Sequence, residues 1–271
     1  MPDRLLDAAR FCAVDVETSG LYMDSRLVEV GAVRFDSAGI LGEFHTLVDP
    51  LEAIQPGATA IHGITDGMVR GCPTPGEVVT EFLGWLGGSV FVAHNARFDA
   101  RILALELARE GLSPPDNLVV DTVVLARKTL RGLPNYRLET LIDYLGIDSG
   151  GRHRGFPDAV AAMEIFRVCL LDGHAHLTLK EIPGMLGHWS DLFPAFGGKE
   201  CGDTGDLQEL ARMRVAVEII YEGGNRPGIP RMITPLGIFG GGARTYLRAY
   251  CHRSGIIKTF RVDRIAGIRL P

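Results

Sequence analysis

Asp15 and Glu17 interrupt the apolar run FCAVDVE, residues 11–17. Residues two apart in a strand share a face, so both carboxylates point the same way. Two such charges on an otherwise apolar strand are costly without a neutralising partner. A hard divalent cation supplies one, because Mg²⁺ takes oxygen ligands and commonly uses one or two carboxylates plus a substrate phosphate. For this pair alone, the alternative is a strand end where both acids meet water. Asp99 adds a third carboxylate, in HNARFD just after the strand-like SVFVAH (89–94). Strand-to-helix junctions are where α/β sheets place ligands, although an acid there also complements a helix N-terminus. Asp158 in HRGFPDA (153–159) opens another helix, whose first turn suits Pro157. His153 precedes it on the glycine-rich loop SGGRHRG. An ordinary pKa of about 6.5 lets a histidine accept a proton near neutrality, while a lone loop histidine is otherwise simply exposed.

These residues need a scaffold, and the pattern supplies one. RLVEVGAVRF (26–35) and ILGEFHTLV (40–48) follow the first strand, separated by the turn DSAG, which predicts an antiparallel meander. PGEVVTEFLGWL (75–86) and ARFDARILALELARE (96–110) have helical spacing, the second closed by Gly111 and Pro114. LVVDT (118–122) reads as another strand, with two or three helices to about Leu171. Alternating strands and helices imply an α/β layer architecture. Residues 173–206 are expected to be a linker with one short helix, the H-x-H of His174 and His176 being a solvated part of it. From Leu207, a short helix (207–213) leads into strands at 214–221, 231–239, 243–251 and 256–266 separated by glycine-rich turns, implying a small β-barrel.

The order D-x-E, N-A-x-F-D and H-x-x-x-x-D resembles the DEDDh exonucleases, the DnaQ-like proofreading group. TSGL, RLVEVGAVRF, HGIT, VAHNARFD and VDTVVLAR stand around these motifs in the family's order. The resemblance implies an α/β, ribonuclease-H-like exonuclease domain over residues 9–172, a mixed sheet with flanking helices. It further implies 3′→5′ exonuclease activity with two Mg²⁺ or Mn²⁺ ions held by Asp15, Glu17, Asp99 and Asp158, and His153 as general base. By the same resemblance Thr18, His62, Asn95 and Phe98 meet the terminal nucleotide; Asn95 could instead cap a helix and Phe98 could be core. Asp121 reads as a helix cap rather than a fifth ligand.

Residues 207–271 resemble a WYL domain, an Sm/SH3-like barrel, on RMITPLGIF, RTYLRAYC and KTFRVDRI. The family's tryptophan position is Thr245 here. The resemblance implies a polar pocket for nucleic acid or a nucleotide-like ligand built from Arg231, Tyr246, Arg261 and Arg264, with Asp263 tying down a nearby arginine. Alternation in ARTYLRAYCH places Arg244, Tyr246, Arg248, Tyr250 and His252 on one face. Arginines attract phosphates and aromatics stack bases, a combination suited to single strands.

The 271 residues carry 28 Lys+Arg against 33 Asp+Glu, a net charge of −5. That figure disfavours a protein that coats nucleic acid indiscriminately. It conceals an asymmetry: residues 209–271 hold a surplus of +7, which leaves −12 for the rest. The chain lacks an 18-residue apolar run and a secretory leader, so a cytoplasmic location without membrane partners is expected. The five scattered cysteines suggest neither a zinc site nor disulfides. Expected partners are single-stranded DNA or RNA 3′ ends, with a polymerase, helicase or repair protein alongside. The rival reading is a non-catalytic regulator that keeps a dormant exonuclease fold; a proofreading subunit held by a polymerase is a third.

Overall fold

The structure is a computed structural model and describes residues 4–20, 25–151, 153–171, 177–193, 207, 210–211, 214–224, 227–241 and 244–269. The chain divides into two compact units, residues 1–21 with 25–195, and 22–24 with 196–271.

The first unit contains β1 (Phe11–Thr18), β2 (Leu27–Phe35), β3 (Ile40–Leu47), α1 (Pro56–His62), α2 (Asp66–Val69), α3 (Pro75–Leu86), β4 (Val90–Ala93), α4 (Arg97–Arg109), β5 (Leu118–Asp121), α5 (Thr122–Thr129), α6 (Leu138–Leu145), α7 (Gly155–Phe166), β6 (Met185–His188) and α8 (Trp189–Leu192). Its sheet has the order β3-β2-β1-β4-β5-β6. The meander β1–β2–β3 is antiparallel, β1–β4 and β4–β5 are parallel, and β6 closes the edge antiparallel to β5. This is the mixed α/β sheet expected of a ribonuclease-H-like exonuclease.

The side-chain alternation of β1 organises the site. Phe11 and Ala13 enter the core beneath α7 with Val33 and Phe35 of β2. Phe11 meets Phe35 and Phe166 at ring-centroid distances of 5.4 and 4.7 Å. Each such ring, fully buried, contributes roughly 1.5–3 kcal/mol. Asp15 and Glu17 continue the same face of β1, and Glu29 and Gly31 the same face of β2, where the apolar row ends. Gly31 is needed there: a Cβ would lie 2.0 Å from the Gly155 carbonyl carbon and the Phe156 nitrogen. The start of α7 therefore rests on bare strand backbone.

Part of the expected linker is folded onto the first unit. Met185–His188 pairs with β5, and Trp189 is fully buried, packed on Phe91 at 5.1 Å with its indole N–H donating to Ala100 O at 2.8 Å. The indole buries a large apolar ring and still satisfies its donor, enough to hold a strand of only four residues. His174 and His176 lie outside the described residues.

The second unit contains β7 (Val217–Tyr221), β8 (Arg231–Gly241), β9 (Arg244–Cys251), β10 (Ile256–Arg261) and β11 (Ile265–Arg269), an antiparallel sheet of order β10-β9-β8-β7-β11. The single strand expected over 256–266 is two. A one-turn 3₁₀ segment, Val262–Arg264, breaks it, and β11 then pairs with β7 at the opposite edge. Three residues thus join the two edge strands, which forces the sheet to curl on itself as a small barrel does. Of the short helix expected over 207–213, only Leu207, Leu210 and Ala211 are described; all three are buried. Among the described residues, no helix is long and apolar enough to cross a membrane.

Candidate active site

Four elements converge at the end of β1. Pairing of β1 with β4 ends at Ala13, which leaves the following stretch of that edge unpaired by β4. The chain leaves β4, turns at Asn95 with φ of 68°, and enters α4. Asp99, in the first turn of α4, fills the gap: its Oδ1 accepts from Val16 N at 3.0 Å. From the other face, α7 presents Asp158 in its first turn. Carboxylate oxygens of Asp15, Glu17 and Asp158 lie within 4.8 Å of one another.

Crowding and burial set the electrostatics. Burial, then the charges of Asp99, Glu17 and Asp158, raises Asp15 well above the usual carboxylate range. Glu17 is pushed up to about 8 by burial and by Asp158 and Glu29, with Arg154 opposing. Burial raises Asp99 despite the Val16 hydrogen bond. Asp158 rises to about 6 for the same reason, with His153 opposing. Each shift measures how badly the site needs positive charge. Asp158 shows it most directly: Oδ2 accepts from His153 N at 3.0 Å, whereas Oδ1 is buried without a hydrogen-bond partner. A buried carboxylate oxygen with no donor, beside two further carboxylates, fits a hard divalent cation.

The remaining expected residues are placed as follows. His153 has φ of 55°, a left-handed conformation that costs a non-glycine residue about 1–3 kcal/mol. Its ring is exposed, with Nε2 3.9 Å from Glu139 Oε1, and is not part of the carboxylate group. Thr18 is buried and donates to Gly20 O at 2.8 Å. His62 is 5% exposed. Its Nδ1 accepts from Ile64 N at 3.0 Å, so Nε2 carries the hydrogen facing Thr18 O at 3.2 Å. Both nitrogens are thus committed inside the protein, and burial lowers its pKa. Asn95 is exposed and Phe98 half-buried beside it. The N-cap of α4 is Ala96 rather than Asn95. Asp121 caps α5, its Oδ1 accepting from Val123 N at 2.8 Å.

Glu29 and its partners are absent from the sequence reading. Glu29 is fully buried and stands opposite Glu17 in the β1–β2 register. Arg154 reaches it with Nε at 3.0 Å and Nη2 at 2.6 Å, Gly155 N donates at 2.8 Å, and His45 Nε2 lies at 2.8 Å. Burial pushes Glu29 up, but these partners outweigh it and hold the carboxyl below its usual range. The signal in the sequence was an acid on the same strand face as Gly31, spaced like Asp15 and Glu17.

In the second unit, Leu247, Ala249 and Cys251 are buried while Arg248 and Tyr250 are exposed, the alternation expected for that strand. Tyr246 stands opposite Arg261 in the register, and Arg248 opposite Thr259. The Arg244 side chain lies outside the described residues. Arg261 Nε donates to Asp263 Oδ1 at 3.0 Å, the expected tie. Arg264 is exposed, its carbonyl accepting from Glu222 N at 2.7 Å. Arg231 is on the other face: it pairs in register with the buried Ile219 and lies over the Tyr221 ring at 5.6 Å. There it lines an open pocket of ≈ 660 Å³ with Arg253, Lys258 and Cys251. The expected pocket residues therefore divide between two faces of one sheet.

Residues 12–166 match the Exonuclease family model and residues 204–270 the WYL domain model. The DNA polymerase III subunit epsilon of Treponema pallidum is 40% identical over 159 residues, covering 58% of this chain and 74% of that protein. A PolC-type DNA polymerase III from Caldanaerobacter subterraneus is 36% identical over 157 residues, 58% of this chain but only 11% of that much longer protein. Among solved structures, exonuclease X in complex with 5′-overhanging duplex DNA is similar, with 26% identity, a TM-score of 0.50 and coverage of 64% of this chain and 97% of that one. Exonuclease I shares the fold at 17% identity and a TM-score of 0.53, over 97% of this chain and 64% of that one. The motifs, the mixed sheet and the family match over residues 12–166 agree, and the chain belongs to the exonuclease family, with a WYL domain following its nuclease domain.

Proposed function

We propose that the protein is a DEDDh-type 3′→5′ exonuclease that removes nucleotides from the 3′ end of single-stranded DNA, and also of RNA. The observation that carries this reading is the convergence of Asp15, Glu17 and Asp158 within 4.8 Å, with one buried oxygen of Asp158 unpartnered. Asp15, Glu17, Asp99 and Asp158 would hold two divalent ions, Mg²⁺ or Mn²⁺, which when bound supply water activation and stabilisation of the leaving 3′ oxygen. His153 takes the proton of the attacking water, its ring turning from Glu139 toward the scissile phosphate. Attack at phosphorus breaks the bond to the preceding 3′ oxygen and releases a nucleoside 5′-monophosphate. Thr18 and Asn95 border the terminal nucleotide and Phe98 stacks on its base. His62 acts from behind, fixing the Thr18 carbonyl. In the second unit Tyr246, Arg248, Tyr250, Arg261 and Arg264, with Arg244 by its place in the sequence pattern, bind nucleic acid, and Arg231 serves the pocket on the opposite face.

The test is a 5′-labelled oligonucleotide, as DNA and as RNA, incubated with Mg²⁺ or Mn²⁺. A ladder shortening from the 3′ end, abolished by EDTA and by Asp15→Asn, is expected. Unchanged nucleotide release by Asp15→Asn would overturn the reading, and binding without shortening would favour a regulator instead.

A further inference from the structure

We propose that Glu29 is a positioning residue for the nuclease reaction: through Arg154 and Gly155 it holds the segment that presents His153. The inference rests on the catalytic reading above and adds a residue outside the acidic motif. Glu29 is fully buried, opposite Glu17 and close to other carboxylates, so its charge is unfavourable unless something is gained. What it touches shows the gain. Its two oxygens receive Arg154 Nε at 3.1 and 3.0 Å, Arg154 Nη2 at 2.6 Å, Gly155 N at 2.8 Å and His45 Nε2 at 2.8 Å.

All of these contacts but that of His45 fall on the two residues that follow His153. Gly155 opens α7, and the amides of a helix's first turn have no partner within it. No side chain at the N-cap, Arg154, supplies one. Glu29 does so from β2, 126 positions away along the chain. Arg154 is clamped by a paired, planar contact that a lysine cannot reproduce. His153, immediately before, is held in its left-handed conformation, with its own N–H on Asp158. The His45 ring, stacked on Phe156 at 5.7 Å, closes the far side of the clamp. Asp158 has independent support, because the Gly31–Gly155 backbone contact seats α7. Among the described residues, the segment bearing His153 is held by the clamp, the His153–Asp158 bond, the Asp158 N–Arg154 O hydrogen bond of 3.1 Å and the longer Glu139 contact.

The experiment compares Glu29→Gln and Arg154→Lys in the full chain, with and without His153→Ala. Each change alone is expected to lower kcat about 10–100-fold with KM for a short oligonucleotide changed less than about threefold. In the His153→Ala background the same changes should cost less than about threefold, because the residue they act through is gone. Mg²⁺ affinity, read by calorimetry without substrate, should stay within about threefold. Arg154 is 35% exposed at its side chain, so Arg154→Lys gives a readable variant if Glu29→Gln fails to fold. Equal losses in both backgrounds, or wild-type kcat in Arg154→Lys, overturn the inference. If Asp15→Asn is inactive while Arg154→Lys is fully active, only the positioning role fails; if Asp15→Asn is active, the catalytic reading fails and takes this inference with it.

Discussion

The first unit buries charge, and the second lays it out for solvent. Glu29, Asp99, Arg101, Glu106 and Asp158 are all buried, whereas among the described residues no buried polar or charged side chain falls beyond residue 158. Within the first unit the buried acids are of two kinds. Glu106 is met by Arg26 at 2.9 Å and Arg109 at 3.0 Å, and Glu29 by Arg154. These are finished ion pairs with structural work. Among the described residues Asp15, Glu17 and Asp158 have no such ion pair, and Arg154, whose charge Glu17 feels, is already committed to Glu29. A fold able to complete two buried pairs left this group open, which is what the proposed metal site requires. In the second unit Arg248, Arg253 and Arg264 are exposed; cations in water attract phosphate over roughly a Debye length of 8–10 Å and are screened by salt.

The sharpest way to break this contrast is to remove one acid from each kind. Asp158→Asn should lower nucleotide release by about three orders of magnitude or more while leaving folding intact, because it removes an unmet charge. A residual rate within tenfold of the parent would place the chemistry elsewhere. The next effect is on packing. Gly31→Ala should cost about 1–3 kcal/mol in urea unfolding and depress activity, because its methyl meets the backbone of α7. Unchanged stability would mean that α7 is not seated there.

Proton linkage separates the two kinds of acid further. Asp158 and Glu17 titrate near 6 and 8 in the folded, metal-free chain, above unfolded carboxylates at roughly 4. The folded state therefore binds more protons, and these groups subtract stability as pH rises through about 4 to 8. In EDTA the melting temperature should fall across that window, and Mg²⁺ should restore most at its upper end. Glu29 works oppositely: its depressed pKa adds stability above the unfolded value, lost on acidification through the folded one. Thermal scans of the parent and Glu29→Gln, with and without Mg²⁺, resolve the two; a Mg²⁺ effect equal at pH 5 and 8 would contradict the assignment. The smallest effect belongs to the second unit. Arg248→Ala should reduce the slope of log K against log salt for long single strands by about 0.7 if it meets one phosphate. An unchanged slope would show that this face does not touch nucleic acid.

What could be read from the sequence follows the range of the forces involved. The acids of β1, the helix over Pro75–Leu86 and the alternation of β9 are local patterns and appear in the structure as expected. Glu29 was missed because its meaning lies in an arginine 125 residues away. β6 was missed because Met-Leu-Gly-His has no alternation of its own and is held by the burial of Trp189. The break between β10 and β11 carries neither glycine nor proline; only the Arg261–Asp263 pair, two residues apart, marks the turn. The face that Arg231 occupies could not be read from β8 alone, because the registers of β8 with β7 and β9 decide which residues it joins.

The contact between Gly31 and Gly155 also fixes when the enzyme can exist. The bed is made early in synthesis, but the helix that lies on it is the last large element of the nuclease fold. At about 5–20 residues per second, the ribosome delivers it on the order of ten seconds after the first strand. Until then Asp15 and Glu17 have no Asp158 beside them. The carboxylate group is thus completed only when the nuclease fold is nearly finished, by the order of its residues alone.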